Sequence, residues 1–473
     1  MKKFILILSI VSIVQSASAQ MDISFLHAGS NVPQVNIFQP VSFPDARVFV
    51  ALPVISGVKM RLNGEISAND IFPEGDSYLN RLSDKNSISF DFNTTLYQIG
   101  FRLGDYGAVT LFGNERITSS FGMPTRTADF LINNSKYLGE SRTDDDFGFN
   151  LNHFREYGIG YTHSLKILGD KELRVGGRLK YLQGVFNMET SPDAAVHLRT
   201  DSVTFIQNIR VENLILQTAG LEAMDQEDAE YLITNGNTGF GIDIGAELDV
   251  NDKLTVGFAV NDLGKISWND YVKNYTIDDG EIDLKGGSFN DIEETFEALA
   301  DSLESFIEEE TNERAYSSSI PTRVLLDARY EVIKGGNVRA STLFKIDEGN
   351  HAQIYALGYS QSIARILDVS ATVSYQSLHG FSVGGGLAAR FGFLQLYGSA
   401  ENIPNYISSD GLVNNSSLNF RFGANFLFGR KYKKQKENKV KEVKVKTEKP
   451  VKETIDPFPE EYNLQHLNDL GHK

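Results

Sequence analysis

The chain has 473 residues, with 41 Gly, 31 Phe and 19 Tyr but one Trp and no Cys, a mixture suited to strands and tight turns. Its formal charge of -17 speaks against a nucleic-acid partner, which would select a basic face, and the lack of cysteine excludes disulfides and thiolate metal sites. Past the first residues no run approaches the ~18 apolar residues of a spanning helix, so the chain is either soluble or crosses a membrane as strands.

Residues 1–19 read as a signal peptide: Lys2 and Lys3 are its charged start, Phe4 to Val14 its apolar centre and Ala17-Ser18-Ala19 its cleavage site. Cleavage before Gln20 would leave no cysteine at the new N-terminus, which excludes the lipid-anchored route. Residues 20–45 are too irregular for a strand and carry Pro33, Pro40 and Pro44; they are expected to form a plug-like segment inside whatever follows.

From 46 to 430 the pattern is period two. Phe240, Ile242, Ile244, Ala246, Leu248 and Val250 alternate with Gly241, Asp243, Gly245, Glu247 and Asp249, and Leu367 to Gln376, Arg323 to Val332 and Leu418 to Phe428 repeat the scheme. A soluble sandwich also alternates. The connections decide: tight turns near 104–107, 168–171, 251–253, 334–337, 362–365 and 390–392 alternate with long segments near 70–85, 122–152, 211–237, 277–319 and 401–415, and with shorter ones near 347–351 and 377–380. Short turns on one rim and long loops on the other predict a transmembrane antiparallel β-barrel of about 14 strands, an all-β fold in the cell outer membrane, with short periplasmic turns, long extracellular loops and both termini periplasmic.

Several residues stand out within that frame. The inward faces carry Arg174, Arg178, Lys180, Asp243, Glu247, Arg323, Asp327, Arg329, Arg339 and Lys345; they line either a polar conduit or ion-paired ladders that fill the barrel. Mixed signs argue against strong ion selectivity. In the second strand Ile88, Phe90 and Phe92 share a face, but past Leu96 the apolar set becomes Tyr97, Ile99 and Phe101. This one-residue slip predicts a bulge between Leu96 and Tyr97, read either as curvature or as a kink that opens the wall. The 277–319 loop holds a predicted helix, capped by Asn290 with Glu293 three residues on. Its apolar stripe is Ile292, Phe296, Leu299, Leu303 and Phe306, a cap on the barrel mouth or a docking surface.

Chemistry is sparse by comparison. The eight histidines lack a nucleophile beside them, His163 lying on an apolar face and His351 and His379 in outer turns, so no enzyme activity and no catalytic residue is expected. Asp144-Asp145-Asp146 lacks calcium-loop spacing, and neither a metal site nor a cofactor is expected. Residues 431–473 begin as a lysine-rich run that reads as a disordered periplasmic tail.

Certain stretches resemble a known family: Phe43-Pro44-Asp45-Ala46-Arg47-Val48-Phe49-Val50-Ala51-Leu52-Pro53 with Ser56-Gly57-Val58, Glu156 to Tyr161, Gly177 to Gly184, Leu396 to Pro404 and Arg421 to Phe426. In that order they resemble an uncharacterised outer-membrane barrel family of type IX-secreting Gram-negative bacteria, itself similar to FadL-type and PorV-type barrels. The resemblance implies fourteen strands and a lumenal N-terminal segment. Where FadL-type proteins carry Asn-Pro-Ala, this chain has Gln39-Pro40-Val41. Two functions follow as expectations: a FadL-like transporter or channel for a small or hydrophobic molecule, or a PorV-like structural or assembly partner of an envelope complex. Expected partners are outer-membrane lipids and lipopolysaccharide, with an envelope protein complex or peptidoglycan reached through the tail.

Overall fold

The computed structural model describes residues 32–429 apart from 35–37, 65–84, 105, 125–129, 131–133, 145–147, 168–170, 192–193, 205, 227, 285–310, 348–349, 365, 377–379 and 402–416. The signal segment, the helix predicted over 292–306 with its stripe, and the lysine-rich tail lie outside the described residues, as do His379 and Asp145-Asp146.

The strands in chain order are β1 (Val48–Ala51), β2 (Val58–Gly64), β3 (Lys85–Leu103), β4 (Gly107–Pro124), β5 (Ser141–Asp144), β6 (Gly148–Ile167) and β7 (Lys171–Thr190). Then come β8 (Ala195–Thr200), β9 (Gln207–Ala219), β10 (Thr238–Asp249), β11 (Leu254–Trp268), β12 (Asn274–Leu284), β13 (Thr311–Asn312) and β14 (Tyr316–Ser319). The last are β15 (Thr322–Ile333), β16 (Gly336–Asp347), β17 (Asn350–Ile363), β18 (Leu367–Gln376), β19 (Gly380–Phe391), β20 (Leu394–Glu401) and β21 (Ser417–Phe428). Two short helices, α1 (Leu221–Asp225) and α2 (Ala229–Ile233), follow β9.

β1 and β2 together make one wall position, because each pairs with β21 on one side and β3 on the other. From β3 the wall passes through β4, β6, β7, β10 and β11 to β15, then through β16, β17, β18, β19 and β20 to β21, every pair antiparallel. The result is a closed 14-strand barrel, and closure leaves no open edge in the wall.

The burial pattern is inverted relative to a soluble domain. Leu179, Leu357, Phe240 and Phe381 are 61%, 59%, 73% and 77% exposed on the outer face, while Arg178, Lys180 and Asp243 are buried within. An apolar belt of that extent around a whole barrel would not persist in water; it is the surface of a transmembrane barrel. The belt includes Tyr97 stacked on Tyr157 and Tyr181 set edge-on to Phe240.

All six tight turns expected from the sequence lie on one rim, between β3 and β4, β6 and β7, β10 and β11, β15 and β16, β17 and β18, and β19 and β20. Gly104, Gly335 and Gly392 take the positive φ those reversals demand. The opposite rim departs from a set of plain loops. The connections near 122–152, 211–237 and 277–319 contain β5, β9, β12, β13 and β14, with β5, β8, β9 and β12 pairing side by side and β9 also joined to the end of β7. Long connections over a barrel mouth must satisfy their backbone groups somewhere, and here they satisfy one another. Beneath them Phe154, Leu182, Ile266 and Trp268 form an apolar cluster.

Candidate functional site in the barrel lumen

The lumen is organised in layers. Phe38 and Val41 of the N-terminal segment pack with inward-facing Ala259, Leu325, Leu343, Ile354 and Ala356 into an apolar layer inside the barrel. The wall accepts the segment because several inward positions against it are glycines. A Cβ on Gly257 would meet the Phe38 ring at 2.8 Å, and one on Gly176 would strike the Pro40 carbonyl. Polar wall side chains then satisfy the segment's backbone. Thr162 donates to the Pro40 carbonyl at 2.9 Å, Arg421 to that of Gln34 at 3.0 Å, Arg102 to that of Pro44 at 3.0 Å and Arg390 to that of Asp45 at 2.6 Å. Residues 32–34 and 38–45 of the predicted plug therefore sit in the lumen.

Charged layers flank this apolar one. Toward the short turns, Arg174 meets Asp249 at 2.8 Å and Glu247 at 3.8 Å, and Arg339 meets Asp327 at 2.6 Å. Arg174, Arg329 and Arg339 also line a vestibule of about 740 Å³. Toward the long connections lies a denser cluster. Asp262 receives Lys180 at 2.5 Å, Arg323 at 2.5 Å and Arg116 at 3.0 Å. Lys180 also reaches Asp243 at 2.8 Å, Arg178 lies 3.4 Å from Asp243, and Arg116 lies 3.2 Å from Glu156. Arg178 is held from below by the Gln39 side chain and lies with its guanidinium carbon 3.6 Å from the centre of the Phe112 ring, a cation–π contact. Above it are two adjoining cavities of about 100 and 80 Å³, with Arg116 and Arg323 in the walls of both.

Of the residues singled out in the sequence, Arg178, Lys180, Asp243 and Arg323 come together in this cluster. Lys345 lines the smaller cavity, while Arg174, Glu247, Asp327, Arg329 and Arg339 belong to the vestibule layer. Ion-paired layers thus lie on either side of the N-terminal segment. Three members escaped the sequence reading. Arg116 and Glu156 are inward by parity alone. Asp262 sits at a phase slip of the kind noticed in β3: β10 and β11 lose register between Ile242 and Ile244, and Asp262 takes φ 61°. The extra residue lets Asn261 and Asp262 both face inward. The outward series Val256, Phe258, Val260 resuming at Leu263 was the available signal. In β3, pairing with β4 passes from Thr95 to Tyr97 and skips Leu96.

Beside that skipped residue the regular strand ladder is interrupted. Leu52 to Gly57 interrupts the first wall strand between β1 and β2, with Val54 at φ 65°, costly for a β-branched residue. Backbone bonds still span the interruption, the Val54 amide donating to the Thr95 carbonyl at 2.8 Å, the Thr95 amide to the Ser56 carbonyl at 3.1 Å and the Leu52 amide to the Ala424 carbonyl at 3.3 Å, and side chains add to them. The Thr94 hydroxyl donates to the Val54 carbonyl at 2.9 Å, the Gly57 amide donates to the Tyr397 hydroxyl at 2.6 Å and Ser56 donates to the Ala424 carbonyl. Among the described residues no group of three or more His, Asp or Glu side chains converges as metal ligands would.

Comparison with solved structures returns barrels of low sequence identity. A Pseudomonas aeruginosa FadL homologue has 11% identity and a TM-score of 0.41, covering 87% of this chain and 100% of its own. The Ralstonia pickettii toluene transporter TbuX has 10% identity and 0.38, covering 87% and 95%. The Pseudomonas putida toluene transporter TodX has 10% and 0.38, covering 87% and 97%. No curated protein matches the chain in sequence. A family model does match over residues 40–401, from the plug to the end of β20, so the chain belongs to the family of unknown function DUF5723.

Proposed function

We propose that the barrel lies in the outer membrane, its short turns and both termini periplasmic, and works as a transporter-type channel that passes a small molecule sideways between lumen and membrane. The observation that carries this reading is the break at Leu52–Gly57 together with the skipped Leu96, two wall defects side by side. Outside the break Val54 and Ile55 are 63% and 54% exposed; inside, the larger lumen cavity is walled by Gln34, Thr95 and Gln98. The N-terminal segment blocks the axial route at the same time. A molecule with an apolar part suits the outer side and a polar end suits the inner. Outer-membrane lipids and lipopolysaccharide are then the surroundings of the belt.

Deleting Leu96 should regularise the β3 ladder. In proteoliposomes the variant is expected to keep its heat-dependent gel mobility shift and to lose uptake of a lipophilic fluorescent probe. Undiminished uptake by a folded Leu96 deletion would overturn the sideways route.

A further inference from the structure

Seven charged side chains meet around Asp262, and their signs do not balance. Glu156, Asp243 and Asp262 are the acids; Arg116, Arg178, Lys180 and Arg323 are the bases. The acid side of the cluster is engaged, Asp262 with three cations and Glu156 with Arg116, Lys180 and the Asn114 amide. Asp91, the other acid in the cavity walls, is taken by Arg61. Among the described residues of this cluster one positive charge is left over, and six of the seven side chains are no more than 13% exposed.

The surplus falls on Arg323. Its side chain is the most exposed of the seven at 32% and lines both cavities. One terminal nitrogen is spent on Asp262 at 2.5 Å, while its Nε is buried with no hydrogen-bond partner. A guanidinium offers donors along a planar fork that matches two oxygens of one oxyanion. Arg116, pinned by Glu156 and Asp262, stands across the same cavities.

We infer that Arg323, backed by Arg116, binds an oxyanion in the lumen cavities. The ligand is a phosphate or carboxylate group, supplied either as a free small anion or as the polar end of an amphiphile. This names the charged end of the cargo and rests on the channel reading only for its purpose; binding itself needs no transport.

The test is equilibrium titration of the full-length protein in nanodiscs with two probes, inorganic phosphate and decyl phosphate, on the unaltered chain, Arg323→Gln and Arg323→Lys. The gel mobility shift reports folding for each. At least one probe is expected to bind the unaltered chain, to weaken tenfold or more in Arg323→Gln, and to recover at least in part in Arg323→Lys. Binding of both probes alike assigns a free anion, and binding of decyl phosphate alone assigns an amphiphile's head. Failure of both probes, or equal binding by a folded Arg323→Gln, overturns the inference. Loss of probe uptake with phosphate binding intact, or the reverse, separates this proposal from the channel reading.

Discussion

Neutralising Asp262 should be among the most damaging single changes in the barrel. Asp262→Asn keeps the size and tolerates the positive φ, since asparagine is favoured in that region, so the substitution isolates the charge. It removes the partner of Lys180 at 2.5 Å, Arg323 at 2.5 Å and Arg116 at 3.0 Å, leaving four cations against two acids in the cluster. Breaking a buried pair from one side costs about 3–5 kcal/mol, and the 0% exposure of the Asp262 side chain places the change toward the upper end. The assay is urea unfolding of the lipid-refolded protein, followed by gel mobility and tryptophan fluorescence, the single Trp268 lying in the apolar cluster above the cluster of charges. Adding Arg323→Gln restores the original surplus of one, and should recover roughly 1–3 kcal/mol through coupling of the two sites. An Asp262→Asn barrel within about 1 kcal/mol of the parent, or a double variant no better than the single, would refute the idea that the Asp262 carboxylate holds this cluster together.

Three further outcomes follow from the same structure. Arginine at outward Ile244, 48% exposed in the belt, should cost about 2–4 kcal/mol if that position lies near the midplane, read as impaired insertion into lipid; normal insertion contradicts the belt. Gly257→Val should drive its side chain into Phe38, whose ring a Cβ there already meets at 2.8 Å, and so unseat the plug; planar-bilayer recordings should then show larger conductance steps than the parent, and unchanged steps would mean the segment does not seal the lumen. Asp228 caps α2, accepting from the amides of Tyr231 and Glu230 and from the Tyr271 hydroxyl, and the Tyr231 amide leads in holding its carboxyl below the ordinary value of 3.8. With a depressed folded value, the cap acts in full above the ordinary value and is lost as pH falls through the lowered one; after correction for intrinsic exchange, amide protection in α2 should be flat from about pH 7 to 5 and fall only in stronger acid, so a loss already near neutrality refutes the assignment.

Reading period two in the sequence was enough to set the lipid face, because a strand has only two faces and an apolar belt leaves no choice between them. The same logic located the defect at Leu96, where the phase changes. It does not reach the role of Asp262, although Val260 to Leu263 carries the same kind of slip, because a slip marks an extra residue and not the partners that residue meets. Gly245 and Gly257 face the lumen by parity, yet Pro40, Val41 and Phe38 lie against them, so a bulky residue there meets the plug instead of open space.

The sequence by itself determined the all-β barrel, its strand count, the rim that holds the short turns and the polarity of each face, since all of these are local: pattern and turn chemistry act over a few residues. Only the tertiary structure decided which charges meet. Asp262 on β11, Arg116 on β4, Lys180 on β7 and Arg323 on β15 come from four separate strands, and their contacts depend on register, stagger and one bulge. Those are set by closure of the whole wall and by the segment packed within it, and no single stretch of sequence carries them.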